Sequence, residues 1–545
     1  MVGGSWFDPR AAWPGDAALG EENPTGVRPR RRTMDAFALP LTIYYAAVLG
    51  VFCSYGLHRY GQVITFLLVG GPKAVRETPS AEAPAPSDGP DLPRITVQLP
   101  MFNERLVAER IIESACALDY PRDRLQIQVL DDSTDGTREV ARRCCERLAR
   151  AGHRVEHVHR THREGFKAGA LAEGLRRADG KLIAIFDADF IPPADLLRRT
   201  IDAFDDSRVG LVQTRWTHLN RDDSWLTAVQ ALSLDGHFVI EQTARAARGH
   251  WFNFNGTAGI WRRTCIEDAG GWDHDTLTED TDLSYRAQLA GWRFCYRADV
   301  TCPAELPPNV ESFVSQQHRW NKGLTQNAIK LLPRILRSGA PLGTRLDALL
   351  HLTSPIPYAA LLLLTLLVPA AFLVGASVPG PFTQLTAGLA VATVALGTTA
   401  AAVYLLVGQW GQGRRGLRPL LLVPVLMALG VGVALTNSRA IIEAFAGRRS
   451  AFVRTPKFNG QRHSAPDPGR RRSRLPAGLP ELALGVLMLA SIPLTWQQPF
   501  GLVSIPFLLL FASGYLIVGG ALARPAIQAR GRMGMSRLRT AFARI

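Results

Sequence analysis

The chain has little charge and no paired-cysteine motif. Charged side chains make up only 20% of its 545 residues, against 47% apolar. A disordered chain shows the opposite balance. There are seven cysteines, an odd number: Cys53, Cys116, Cys144, Cys145, Cys265, Cys295 and Cys302. None forms a CxxC, so neither a disulfide-stapled scaffold nor a cysteine zinc site is expected, and reduced thiols in a cytosolic domain are. Acids are in deficit, with 47 Asp and Glu facing 62 Lys and Arg, for a net charge of +15. No long internal repeat is present. No small-residue cleavage site directly follows the first apolar run, so that run reads as an anchor and not as a signal peptide.

A slightly positive mean hydropathy in so basic a chain points to two solvents, water and lipid. Residues 1–34 are expected to form a basic, disordered tail and 35–58 an N-terminal transmembrane anchor, its run Phe37–Leu57 being long enough to cross about 30 Å of hydrocarbon. A Pro-rich linker covers 72–93, with Pro79, Pro84, Pro86, Pro90 and Pro93. A soluble domain then occupies 94–335 and a membrane region 336–545. Four spans are expected, near 354–375, 384–407, 479–496 and 500–522.

The apolar segment 419–446 has basic residues on both flanks. One crossing cannot place both flanks on the cytoplasmic side, so the segment is expected as an interfacial or re-entrant helix. The soluble domain and the basic loop 447–476 then face the cytoplasm. The same rule is broken at the other end, where a single first anchor leaves Arg28, Arg30, Arg31 and Arg32 outside.

Within the soluble part, short apolar β-branched runs alternate with helical patterns. Strands are expected at Ile95–Leu99, Gln126–Leu130, Lys181–Phe186 and Val209–Gln213, and an amphipathic helix at Glu104–Leu118 behind an Asn103 cap. Such repetition predicts an α/β, largely parallel, doubly wound sheet. Ligands sit at the carboxyl ends of its strands, where this sequence places its acids.

Each acid group has a bland reading and a chemical one. Asp131-Asp132 in Leu130–Gly136 supplies turn chemistry, or a carboxylate facing a nucleotide. Asp187-Ala188-Asp189 follows a strand directly, and carboxylates two apart there can converge on one hard cation, Mg²⁺ or Mn²⁺. Thr278-Glu279-Asp280 opens a helix. Acids favour that place through the helix dipole, at about 0.3–1 kcal/mol, but one carboxylate there also suits a general base. In Gln316–Trp320, Arg319 and Trp320 are a surface arginine and a core tryptophan, or a diphosphate fork and a sugar-stacking face. Asn255-Gly256-Thr257 is a turn, or a loop that lets backbone approach a substrate. Lys167 faces solvent or a phosphate. Phe452, Arg454, Thr455 and Lys457 lie in the basic loop.

In this order the motifs resemble the membrane-embedded processive glycosyltransferases of family 2. Val97–Glu104, Val129–Asp135, Phe254–Gly259 and Gln316–Trp320 look especially like the plant cellulose-synthase-like mannan and glucan synthases and their bacterial relatives. The resemblance is strong over 91–335 and loose beyond. It implies a GT-A fold and an inverting hexosyl transfer from UDP-glucose or GDP-mannose to a growing β-linked glycan, processive and coupled to export.

Carried over by position, Asp131, Asp187, Lys167, Gln316 and Arg319 would hold the nucleotide and diphosphate, with Asp189 and Asp187 on the metal. Asp280 would be the base, with Glu279 beside it. Trp320, Asn255, Gly256 and Thr257 would meet the acceptor. Phe452, Arg454, Thr455 and Lys457 would form a gating loop. No added cyclic-nucleotide receptor domain is expected after the last span.

The implied partners are a sugar nucleotide, a glycan or lipid acceptor and membrane lipid, in a multi-pass protein of a bacterial cytoplasmic membrane. Nucleic acid is not expected, because much of the positive charge flanks apolar segments, where anionic lipid accounts for it. Two rivals stand beside this reading. One is a transferase that adds a single sugar to a lipid. The other is a membrane transporter or receptor with a nucleotide-binding domain, which the near absence of ionisable residues in the spans disfavours.

Overall fold

The computed structural model describes residues 28–76, 92–375, 388, 392–448, 450, 477–497 and 501–542. At its centre is a seven-stranded sheet in the order β3-β2-β1-β4-β6-β5-β7. The strands are β1 (Ile95–Met101), β2 (Leu125–Asp131), β3 (Arg154–His159), β4 (Leu182–Ile185), β5 (Val209–His218), β6 (Gly259–Arg262) and β7 (Arg293–Ala304). All seven residues of β1 are buried. Helices Ala108–Cys116 and Thr137–Arg150 cover one face through Ile111, Ile112 and Ala141, and Phe166–Arg177 covers the other through Ala170 and Leu171. With both faces covered, β4 reads as the continuous apolar run Leu-Ile-Ala-Ile, whereas β1 and β2 alternate and pair their inward polar groups, Thr96 Oγ1 donating to Gln126 Oε1 at 2.8 Å and Gln98 Nε2 to Gln128 Oε1 at 3.1 Å.

The four expected strands are present, and the sheet is largely parallel as expected, with one strand reversed. β6 runs antiparallel to both β4 and β5. It is only four residues long and leaves the Asn255–Ala258 loop directly, too short for a period to show. β3 was also missed. It sits at the sheet edge and carries alternating polar residues, His157 and His159 among them.

The expected Asn103 cap needs a correction. The helix begins later, at Ala108, with Val107 at its N-cap. Asn103 instead takes a left-handed φ of 56°. Its Oδ1 accepts the Thr134 N–H at 2.9 Å and its own N–H donates to Ser133 Oγ at 2.8 Å. It ties the loops after β1 and β2 together at the strand ends.

Among the described residues, four segments are long and apolar enough to cross a membrane: Ile356–Leu373, Val394–Gly411, Leu479–Trp496 and Gly501–Arg524. Of the second expected span, 384–387 and 389–391 lie outside the described residues. Leu417–Gly432 and Ala434–Phe445 form a pair bent by 45°, so 419–446 does not run as one straight span. The expected anchor lies inside one helix, Arg28–Leu68, which is not among the four. That helix starts within the stretch expected as a disordered tail. Of the expected linker, Gly71–Val75 forms a short 3-10 turn, and 77–91 lies outside the described residues.

Helix Leu417–Gly432 lies close against Ile505–Phe542. A Cβ on Gly514 would stand 2.0 Å from the Ala428 carbonyl oxygen, and one on Gly432 would stand 2.3 Å from the Gly514 oxygen. Backbone contact of this kind is how helices associate where lipid removes the hydrophobic drive. Gly514→Leu should therefore lower the thermal unfolding midpoint in detergent clearly more than Gly520→Leu, since a Cβ on Gly520 meets nothing within 4 Å.

Candidate active site

At the carboxyl ends of the strands lies a cavity of about 500 Å³. It gathers residues from segments far apart in the chain. From the end of β4 come Asp187 and Asp189, and from the start of the helix before it, Phe166–Arg177, comes Lys167. Lys167 Nζ donates to Asp187 Oδ1 at 2.6 Å and to the Gly256 carbonyl at 2.8 Å. The Lys167 ammonium is buried, which lowers its pKa, but the charges of Asp187 and Glu279 outweigh this and raise it. Lys167 is thus a cavity cation and not a solvent-facing lysine.

Thr278, Glu279 and Asp280 form a second wall. The long helix Val310–Arg337 holds them in place. Gln326 Oε1 accepts the Leu277 N–H at 2.9 Å, and Asn327 Nδ2 donates to Thr278 Oγ1 at 2.9 Å and to Thr278 O at 3.1 Å. About two to three turns earlier, the same helix presents Gln316, Arg319 and Trp320 to the cavity. One element therefore positions the acids and carries the residues opposite them.

Burial raises the pKa of both carboxyls. Burial first, then the neighbouring Glu279 charge, pushes Asp280 up to about 7, against the pull of Lys167. Glu279 is raised by burial, which Lys167 and Arg319 only partly offset. Burial also lowers Arg319, while Glu279, Asp280 and Asp187 raise it. A carboxyl that titrates near neutrality can take up and release a proton at cellular pH.

The Asn255–Thr257 loop lies directly against Asp280. Gly256 has φ +83°, and a Cβ there would stand 2.8 Å from Asp280 Oδ2. Asn255 and Gly256 line the cavity. Thr257, expected at the acceptor, is fully buried, and its Oγ1 accepts the Asp187 N–H at 2.8 Å. It orders the Asp187 turn from behind.

Asp131 is the residue expected at the nucleotide. It is fully buried and does not line the cavity; Asp132 does. Asp131 Oδ2 lies 2.9 Å from His157 Nε2, and Asp131 Oδ1 accepts the Ser133 N–H at 2.8 Å. Asp132 is held by both ends of the Arg160 guanidinium, at 2.7 and 2.5 Å. Alternation along the strand end decides which aspartate faces in, and the sequence does not show where the strand stops. Phe452, Arg454, Thr455 and Lys457 lie outside the described residues.

Several lining residues were missed. His237 Nε2 lies 2.9 Å from Asn255 Oδ1. Behind it, Glu241 pairs with Arg59 of the N-terminal helix and with Arg245, each at 2.7 Å. His237 and Glu241 sit on a π-helical turn, Gly236–Glu241, a feature that recurs at functional sites and has no sequence period to reveal it. The Arg163 guanidinium lies 3.5 Å over the Phe102 ring at the cavity's other end. Tyr358, Tyr404, Leu426 and Val433, from apolar helices, close the floor.

Most of the residues that line this cavity lie in a stretch similar to known proteins. The model described as glycosyltransferase like family 2 matches residues 93–323. Glucomannan 4-beta-mannosyltransferase 1 of Oryza sativa subsp. japonica is 43% identical over 285 residues, 50% of this chain and 55% of the relative. Glucomannan 4-beta-mannosyltransferase 2 of Arabidopsis thaliana is 46% identical over 253 residues, 46% of this chain and 47% of the relative. The chain thus spans about half the length of the curated relatives it matches. Among solved structures, mannosyltransferase PcManGT from Pyrobaculum calidifontis, in complex with GDP-Man and Mn²⁺, is 24% identical. That match covers 70% of this chain and 98% of the other, with a TM-score of 0.44. Residues 93–323 thus match the model of glycosyltransferase like family 2, and they carry a mixed sheet.

Proposed function

We propose that this chain is an inverting mannosyltransferase that extends a β-linked glycan from a sugar nucleotide. The observation that carries this is a raised carboxyl, Asp280, sharing one cavity with the Asp187–Asp189 pair and with Arg319. The 43% and 46% identity to plant glucomannan mannosyltransferases supports mannose as the transferred sugar.

In this reading the acceptor hydroxyl attacks the sugar C1 as the bond from C1 to the diphosphate oxygen breaks. Asp280 takes the hydroxyl proton as the new bond forms. A positioned base of this kind contributes about 10²–10⁴-fold. Glu279 keeps negative charge beside Asp280 and so keeps it basic. Arg319, Lys167 and Gln316 hold the diphosphate, and Trp320 with Asn255 and Gly256 holds the acceptor sugar. Asp132 replaces Asp131 as the carboxylate nearest the nucleotide.

Asp189 and Asp187 offer hard carboxylate oxygens two residues apart at a strand end, a donor set that fits Mg²⁺ or Mn²⁺. Such an ion, when bound, neutralises charge on the leaving diphosphate. The cavity floor of tyrosines and apolar helices supports a product leaving along the membrane region, and so supports repeated addition. The basic residues beside the apolar helices support a cytoplasmic face for the domain.

GDP-mannose and UDP-glucose, supplied separately to purified protein with labelled sugar, test the donor. Mannosyl polymer with β-linkages is expected. Products carrying one added sugar would sink repeated addition, and the absence of transfer from both donors would sink the reading. With the preferred donor, turnover should fall as pH drops below about 7, where Asp280 becomes protonated.

Asp280→Asn should lose about 10²–10⁴-fold in turnover while still binding nucleotide. Stability provides a separate check. A raised carboxyl keeps its proton in the folded state up to about 7, whereas the unfolded chain releases it near 3.8. The parent therefore loses stability through this group as pH rises between those values, and the asparagine variant does not. The thermal midpoint of Asp280→Asn relative to the parent should climb from pH 5 to pH 8, and a flat difference would remove the buried-base assignment.

A further inference from the structure

We propose that Asp131, His157 and His159 bind one divalent metal ion of borderline softness, Zn²⁺ by its chemistry. The site lies at the sheet edge, apart from the Asp187–Asp189 pair.

Three clusters of side chains among the described residues bring metal-ligating atoms within 4.8 Å of one another. Two of them already hold a cation of the protein itself. Lys330 Nζ lies 2.8–3.0 Å from Asp273, Asp275 and Asp282. Arg147 reaches Glu109 at 3.0 Å, Glu113 at 2.6 Å and Cys144 Sγ at 3.5 Å. The third, Asp131 with His157 and His159, has no lysine or arginine in its centre.

Its geometry follows from strand pairing. Asp131 ends β2 and is in register with His159 of β3. His157 is two residues earlier on β3, so both rings leave the strand on one face. Asp131 Oδ2 is 2.9 Å from His157 Nε2 and 3.5 Å from His159 Nδ1. The other carboxylate oxygen is committed to the Ser133 N–H at 2.8 Å, so Oδ2 alone addresses the rings.

An Asp–His hydrogen bond needs one ring. Here a second ring nitrogen, His159 Nδ1, is shut off from solvent and makes no hydrogen bond. Zinc bonds of about 2.0–2.1 Å in a tetrahedron set neighbouring ligand atoms roughly 3.3–3.4 Å apart. The two measured separations straddle that value. Two neutral imidazoles and one carboxylate suit Zn²⁺, whereas Mg²⁺ prefers oxygens alone. Three protein ligands leave the fourth position to water.

Occupancy would pin the outer strand to its only neighbour. It would also fix the Asp131–Ser133 turn, and with it Asp132 and Arg160, at the cavity wall.

The test uses full-length protein in detergent, stripped with chelator and returned to excess Mg²⁺ to fill the oxygen site. Zn²⁺ is added and excess is removed by desalting. Elemental analysis should find about one zinc per chain, and the thermal midpoint should rise. His157→Ala and His159→Ala should each weaken binding by about tenfold or more. Asp189→Asn should retain the zinc. Co²⁺ in place of zinc should give the visible absorption of a four-coordinate site, lost in His159→Gln. Zinc washed out of the parent, equal zinc in the histidine variants, or zinc lost with Asp189→Asn would each overturn the proposal. The first of these readings needs no variant, and none depends on sugar transfer.

Discussion

Asp187, Glu279, Asp280, Lys167 and Arg319 share one cavity at the strand ends, and the rest of the molecule is arranged around keeping them there. Asp187, Glu279 and Asp280 repel one another, and Lys167 and Arg319 offset the repulsion without cancelling it at Asp280. Left alone, such a group would open to water. The Asn327 and Gln326 contacts to Thr278 and Leu277 prevent that, as does the Thr257 hydroxyl on the Asp187 turn. Stability given up at this point is recovered in the packed faces of the sheet, where Leu99, Ile111 and Ile185 are wholly buried.

The acids were legible in the sequence because chemistry and position coincide. Asp187-x-Asp189 and Thr278-Glu279-Asp280 each sit where an apolar or amphipathic pattern begins or ends, and that pattern has a period. The supports were not legible. Asn327 is a lone polar residue inside a long helix, and nothing in its neighbours says that it faces Thr278. Asp131 and Asp132 are adjacent, and which one faces the cavity depends on where β2 ends. β6 failed for want of length, and Asn103 because an asparagine before a helix reads as a cap whether or not the helix starts there.

The link between the sheet domain and the apolar helices is ionic as much as apolar. Arg59 from the N-terminal helix and Arg245 meet on Glu241, and Arg245 also reaches Asp347 at 2.8 Å. Asp347 in turn lies 2.6 Å from His58. Through Glu241 and His237 this network ends on Asn255, beside the cavity acids.

The shared wiring has a practical cost for anyone who wishes to cut the molecule down. A soluble excerpt covering only the sheet would retain Glu241 and Arg245 but discard Arg59, His58 and Asp347. Removing one partner from a buried pair typically costs about 3–5 kcal/mol, a large fraction of what holds a domain of this size together. The sheet domain therefore has no clean seam, and its natural boundary runs through the apolar helices and not around them.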